Sequence, residues 1–76
     1  MGRKRVRLRS DAIAELRARR NLSQAELARI VGIDFRYFSR LMHGATVGAL
    51  VRRRMCERLG LDFDNLFEIV ESAEVS

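Results

Sequence analysis

The chain has no proline and no tryptophan, and only one cysteine and one histidine in 76 residues. Without proline, nothing breaks a helix from within. A single thiol, Cys56, excludes an intrachain disulfide and a cysteine-based metal cluster, and the lone His43 argues against a histidine metal site. Cys56 falls in a helical apolar pattern and reads as a small core residue rather than a reactive thiol. No apolar run approaches the roughly 18–20 residues of a membrane span, and the basic start lacks a signal peptide's apolar stretch. A reducing, cytoplasmic location is the resulting expectation, with no membrane partner. There is no glycine-rich phosphate loop and no pair of acids on a common face. An enzyme is therefore not expected, nor a metal, a cofactor or a small-molecule effector. Asp62 and Asp64 near Asn65 suit the capping of a helical turn better than cation binding.

Apolar residues make up 47% of the chain and charged residues 33%, the balance of a folded globular domain. One small domain of this length buries about 60–65% of the surface its unfolded chain exposes, so dimerisation would add burial that a lone core lacks. Charge is unevenly placed. All 15 basic residues lie within 1–58 beside half of the 10 acids, and the other acids follow with no base among them. A basic body favours a polyanion, whereas an acidic end is poorly suited to touch one. Three parts are expected: a basic arm or short strand over 1–9, a folded domain over 10–71, and an acidic tail over 72–76.

Arg5-Val6-Arg7-Leu8-Arg9 has period two, which suggests a strand with Val6 and Leu8 on one face; a disordered arm is the equal alternative. Ser10 is placed to cap helix 1, with Asp11 in its first turn, Ile13 and Leu16 as its buried stripe and Asn21 at its left-handed end. Ser23 and Glu26 then form a Ser-x-x-Glu capping box preceded by Leu22. It opens helix 2 over Gln24–Val31, with Leu27, Ala28 and Val31 inward. Gly32 permits the positive φ of a sharp turn, Ile33 pins that turn to the core, and Asp34 caps helix 3, about Phe35–Met42. Thr46 reads as the cap of helix 4, about Val47–Leu59, with Gly60 ending it. Asp62–Leu66 predicts a last helical turn, and Phe67–Glu71 either extends it or forms a strand.

Helical periodicity sets Phe38, Leu41 and Met42 on one side of helix 3 and Phe35, Arg36, Ser39 and Arg40 on the other. Ala28 is small where helices 2 and 3 must approach closely. A helix held out in this way is a ridge about 10–12 Å wide, which the DNA major groove accepts. Arg36 and Arg40 can each meet a guanine edge bidentately, and Phe35 can pack on a thymine methyl; simple solvation, or a Phe35 folded back over the helix start, are the plainer readings. Gln24 lies where free backbone N–H groups and a side-chain amide can hold a phosphate together. The Tyr37 hydroxyl can reach a phosphate, with a half-buried structural role as the alternative. Arg52-Arg53-Arg54 either adds phosphate contacts or is a solvated face. Arg3-Lys4-Arg5 can follow the DNA backbone or a minor groove, pair with the acidic end, or stay solvated.

Taken together at their spacing, Leu22-Ser23-Gln24, Leu27-Ala28, Gly32-Ile33, Phe38, Leu41 and Gly44 resemble the phage-repressor/Cro-type helix-turn-helix family, also called the xenobiotic-response-element family. The likeness reaches outward through Leu16-Arg17 and Cys56-x-x-Leu59-Gly60-Leu61. It implies an all-α, compact four- to five-helix domain, with the option that short N- and C-terminal strands pair. It also implies a homodimer that binds double-stranded DNA in sequence-specific fashion, most simply as a repressor. Phe35, Arg36 and Arg40 are the expected base contacts, and Gln24, Tyr37, Ser39, His43 and Arg53 the expected phosphate contacts. The competing expectations are a protein-interaction module, such as an antitoxin or anti-repressor, and an architectural or recombination factor.

Two positions depart from the family's pattern. The usual glutamate partner of Arg17 is Met42 here, so Arg17 is expected to turn to solvent, phosphate or another acid, with Met42 packing in the gap. Arg52 occupies a usually apolar position of helix 4, which leaves that helix's register open. The loop also lacks the family's usual proline. Paired terminal strands would set Arg5, Arg7 and Arg9 against Glu68 and Glu71, and such a sheet could continue across a dimer.

Overall fold

A computed structural model describes residues 3–72 of the protein; the tail assigned to 72–76 falls almost wholly outside them. The elements run β1 (Arg3–Leu8), α1 (Ser10–Arg20), α2 (Gln24–Val31), α3 (Phe35–Met42), α4 (Ala49–Leu59), α5 (Phe63–Leu66) and β2 (Phe67–Ser72). The two strands pair antiparallel, with Leu8 opposite Phe67, Arg7 opposite Glu68, Val6 opposite Ile69 and Lys4 opposite Glu71. Of the expected fold, five helices form and the optional pairing of the terminal strands is realised. The domain is mainly helical, and its two ends meet in a two-stranded sheet.

The local signals at α2 and α3 act as their chemistry requires. The Ser23 hydroxyl accepts from the Glu26 N–H (3.1 Å) while the Glu26 carboxylate accepts from the Ser23 N–H (2.8 Å), a reciprocal box. Asn21 ends α1 with φ 53° and ψ 51°, and Gly32 ends α2 with φ 85°. Asp34 caps α3 by accepting from the Arg36 N–H at 3.2 Å.

Two other caps fall elsewhere. Ser10 is already helical: Arg9 is the cap of α1, its N–H donating to Leu66 O (2.7 Å) and its carbonyl accepting from the Ile13 N–H (3.1 Å). Helix α1 therefore starts one residue early because the chain is fixed to the end of α5. Thr46 does not cap α4. It bridges Arg7, the Val47 N–H donates to Val6 O (2.9 Å), and α4 begins only at Ala49 after Gly48. Pairing with β1 keeps 46–47 extended and costs the helix its predicted first residues.

The core is a single cluster in which every element is represented. Ile13 and Leu16 come from α1, Leu27, Ala28 and Val31 from α2, Phe38 and Leu41 from α3, Met55 and Leu59 from α4, and Leu66 from α5. Leu8 and Phe67 seal it from the sheet, and Val47 fills from the loop. Among the described residues the core contains no buried polar or charged side chain, so its stability rests on apolar area at about 25 cal/mol per Å². The doubt about α4 resolves simply: Met55 and Leu59 point inward, and Arg52 lies half-buried with its guanidinium 6.0 Å from the centre of the Phe63 ring. Cys56 is half-buried against the core, and desolvation, followed by the nearby Asp62 and Glu57 carboxylates, raises its thiol pKa. That is the opposite of what a nucleophile needs.

Candidate nucleic-acid interface

Helix α3 is divided along its length. Phe38 and Leu41 are wholly buried, while Phe35, Arg36 and Arg40 are exposed on the opposite side. Burial of the first pair fixes the rotation of the helix and so fixes what faces outward. Phe35 does not fold back: about half of its surface (49%) stays exposed at the start of the helix. No ion pair involves Arg36 or Arg40 among the described residues, where the salt bridges join other groups. The Arg40 guanidinium lies 5.7 Å from the centre of the Tyr37 ring, a cation–π contact that braces a long side chain without using its five donors. Tyr37 itself is half-buried, and Ser39 lies between the exposed side and the core.

Two further groups flank this ridge. Gln24, the first residue of α2, is half-exposed where the leading N–H groups of that helix lack intrahelical acceptors. Its amide and those N–H groups form a donor cluster of the kind that suits a phosphate. At the other end, the His43 ring turns back on its own helix, with Nδ1 2.8 Å from Ser39 O. A neutral imidazole that donates there presents Nε2 as an acceptor. That bond engages Nδ1 and leaves Nε2 as the ring's remaining polar atom, an orientation the sequence did not reveal.

The arginines of α4 are mostly committed to structure. Arg54 donates to Gly32 O (3.2 Å) and Arg58 to Ile30 O (3.3 Å), and both carbonyls lie at the C-terminal end of α2. Positive charge there complements the helix dipole and holds the turn between α2 and α3. Arg53 is exposed and makes no such bond among the described residues, so it is the member of the triplet free to meet a phosphate. Arg17 departs from expectation. With no acid paired to it among the described residues, it donates from Nε to Leu22 O at 3.2 Å, tying the end of α1 to the start of α2; Met42 packs half-buried against the core.

Sequence reasoning missed a support beneath α3. Arg5 donates to Gly44 O at 2.6 Å, and β1 holds the following residues through the Val6–Val47 and Arg7–Thr46 pairings. The loop leaving α3 is thus fastened to the sheet. The sole sequence signal for this was the run of alternating arginines. Of those, Arg7 and Arg9 do meet Glu68, at 2.7 and 3.9 Å, whereas Arg5 turns to the loop and Glu71 stands opposite Lys4. No group of three or more His, Cys, Asp or Glu side chains able to hold a metal is found among the described residues, and no described helix is long and apolar enough to cross a membrane.

No family model matches the chain, and no curated protein matches it. Among solved structures it is similar to the crystal structure of transcriptional regulator VanUg (Form II), with a TM-score of 0.71 and 27% sequence identity. The match covers 92% of this chain and 89% of that one. The domain therefore has a helix-turn-helix fold of the kind found in a transcriptional regulator, shared over nearly its whole length.

Proposed function

We propose that the protein is a transcriptional regulator of the phage-repressor/Cro type that binds double-stranded DNA in sequence-specific fashion, with α3 lying in the major groove. The observation that carries this reading is the exposed ridge Phe35, Arg36 and Arg40 on a helix whose opposite side is locked by Phe38 and Leu41. Arg36 and Arg40 present planar forks suited to guanine O6 and N7, and Phe35 an apolar face suited to a thymine methyl. Gln24, Tyr37, Ser39, His43 and Arg53 surround the ridge as phosphate contacts, which set register without reading sequence. The likeness to a regulator over nearly the whole chain supports the same role.

Repression by occupying promoter DNA is the simplest use of such a domain. The protein acts in the cytoplasm as a homodimer on a two-fold site, with half-sites about 34–36 Å apart. Titration against a non-specific duplex at two salt concentrations tests the DNA reading. Binding should weaken as salt rises, with log K falling by about 0.9 per neutralised phosphate per decade of salt. A partner-protein reading rests on the exposed Phe35. Absence of any salt-dependent DNA binding would favour it and overturn the proposal.

A further inference from the structure

The two ends of α3 are held by different parts of the chain. At its start, Asp34 accepts from the Arg36 N–H at 3.2 Å, Arg54 donates to Gly32 O at 3.2 Å, and half-buried Ile33 packs on the core between them. At its end the chain turns away through His43 and Gly44, the latter at φ 101°. The Gly44 N–H donates to Leu41 O and the Ala45 N–H to Arg40 O, both at 3.1 Å, so this loop is bonded directly to the last turn of the helix. Its far end is anchored by Val47, which is buried and donates to Val6 O at 2.9 Å. Its near end passes through a glycine whose Cβ position has no neighbour within 4 Å. The polar anchor there is Arg5, which donates from Nη1 to Gly44 O at 2.6 Å, across 39 positions of sequence. Charge-assisted bonds of this kind are the short and strong ones. Arg5 is half-buried and joins no ion pair among the described residues, so this bond is what orients its guanidinium.

We infer that Arg5 is a positioning residue for sequence reading: it meets no base and no phosphate, and by holding Gly44 it fixes the tilt of α3. This rests on the proposal that α3 lies in the major groove. The helix acts as a lever. Phe35 and Arg36 lie in its first turn, beside the Asp34 cap, whereas Arg40 lies in its last turn, next to the loop that Arg5 holds. With the start fixed, releasing Gly44 swings the helix about that start and displaces Arg40 most. A bidentate guanine contact needs two donors aligned at once, so it tolerates little tilt. Loss of Arg5 therefore falls unevenly, on the base pair read by Arg40 before the one read by Arg36. A phosphate contact would behave differently, weakening every sequence alike and lowering the salt slope.

The test compares Arg5→Ala with Arg20→Ala, which removes an arginine bond of the same kind, to Leu59 O at 3.1 Å, that joins α1 to α4 and does not involve α3. In the full chain without DNA, the Gly44 and Ala45 amides should exchange hydrogen about tenfold faster in Arg5→Ala. The Leu27 and Gly32 amides of α2 should shift no more than they do in Arg20→Ala. On duplexes selected by the wild type, the base pairs read by Arg40 and Arg36 are first located with Arg40→Ala and Arg36→Ala. Arg5→Ala should then lower discrimination at the Arg40 pair by about threefold or more, keep it at the Arg36 pair, and leave the salt slope unchanged. Arg20→Ala should leave discrimination at both pairs as in wild type. Unchanged exchange at Gly44 overturns the inference, as does equal loss at both pairs or a uniform loss with the slope lowered by about 0.9. A wild-type chain without sequence preference would sink the DNA reading and this inference together. A wild-type preference that Arg5→Ala leaves intact would sink this inference alone.

Discussion

Replacing Arg40 by alanine separates base reading from every other role that α3 could have. In the free protein the guanidinium has one identified contact, the Tyr37 ring at 5.7 Å, and no ion pair among the described residues. An exposed cation–π contact is worth about 0.5–1 kcal/mol. For a domain of this size that limits the loss of melting temperature to about 4–8 °C. A bidentate guanine contact is worth about 1–3 kcal/mol of discrimination, or about 5- to 150-fold in the ratio of right to wrong base. The assay is fluorescence anisotropy on a bound duplex and on its single-base variants, at several salt concentrations. Arg40→Ala should flatten discrimination at one base position in each half-site and leave preferences elsewhere unchanged. If affinity instead fell equally on every sequence, with the salt slope reduced by about 0.9, Arg40 would be a phosphate contact and the assignment of the reading face would be wrong.

Arg53→Ala should show that second pattern: uniform weakening across sequences and a salt slope lower by about 1, measured in the same titrations. Ser23→Ala removes one side of the reciprocal cap at α2 and should cost about 1 kcal/mol in denaturant unfolding. Gly32→Ala leaves ordinary contact with Arg54 at 3.7 Å but forces a side chain into the left-handed region at φ 85°; calorimetry should show a loss of about 1–2 kcal/mol from the backbone alone. Bonds from the Ser23 backbone and then its side chain hold the Glu26 carboxyl below its ordinary pKa. Its contribution to stability is therefore present above the unfolded-state value and disappears as pH falls through the lower folded one. Acid titration of unfolding should show a steeper loss across that window for wild type than for Glu26→Gln.

The legible parts of the fold were those encoded within a few residues. Ser23 with Glu26, the positive φ of Gly32, Asp34 before α3 and the burial of Phe38 and Leu41 all depend on neighbours no more than one turn away. The illegible parts depend on pairing across the chain. Thr46 looks like a cap, yet residues 46–47 are recruited by β1, some 40 positions earlier. Ser10 looks like a cap, yet Arg9 is held by Leu66. Arg7 and Arg9 could be read as a solvated arm until Glu68 stood beside them. The candidate site divides in the same way: helical spacing was enough to put Phe35, Arg36 and Arg40 on the exposed side of α3. The bracing of Arg40 by Tyr37, the turned ring of His43 and the diversion of Arg54 to the end of α2 required three dimensions.

Selection of bound sequences from a random duplex pool by the full chain tests the central claim most directly. Enrichment of a two-fold motif with half-sites about 10–10.5 base pairs apart, altered at one position per half-site by Arg40→Ala, is the predicted result. A pool that remains unenriched, or a motif indifferent to changes at Phe35, Arg36 and Arg40 together, would contradict it.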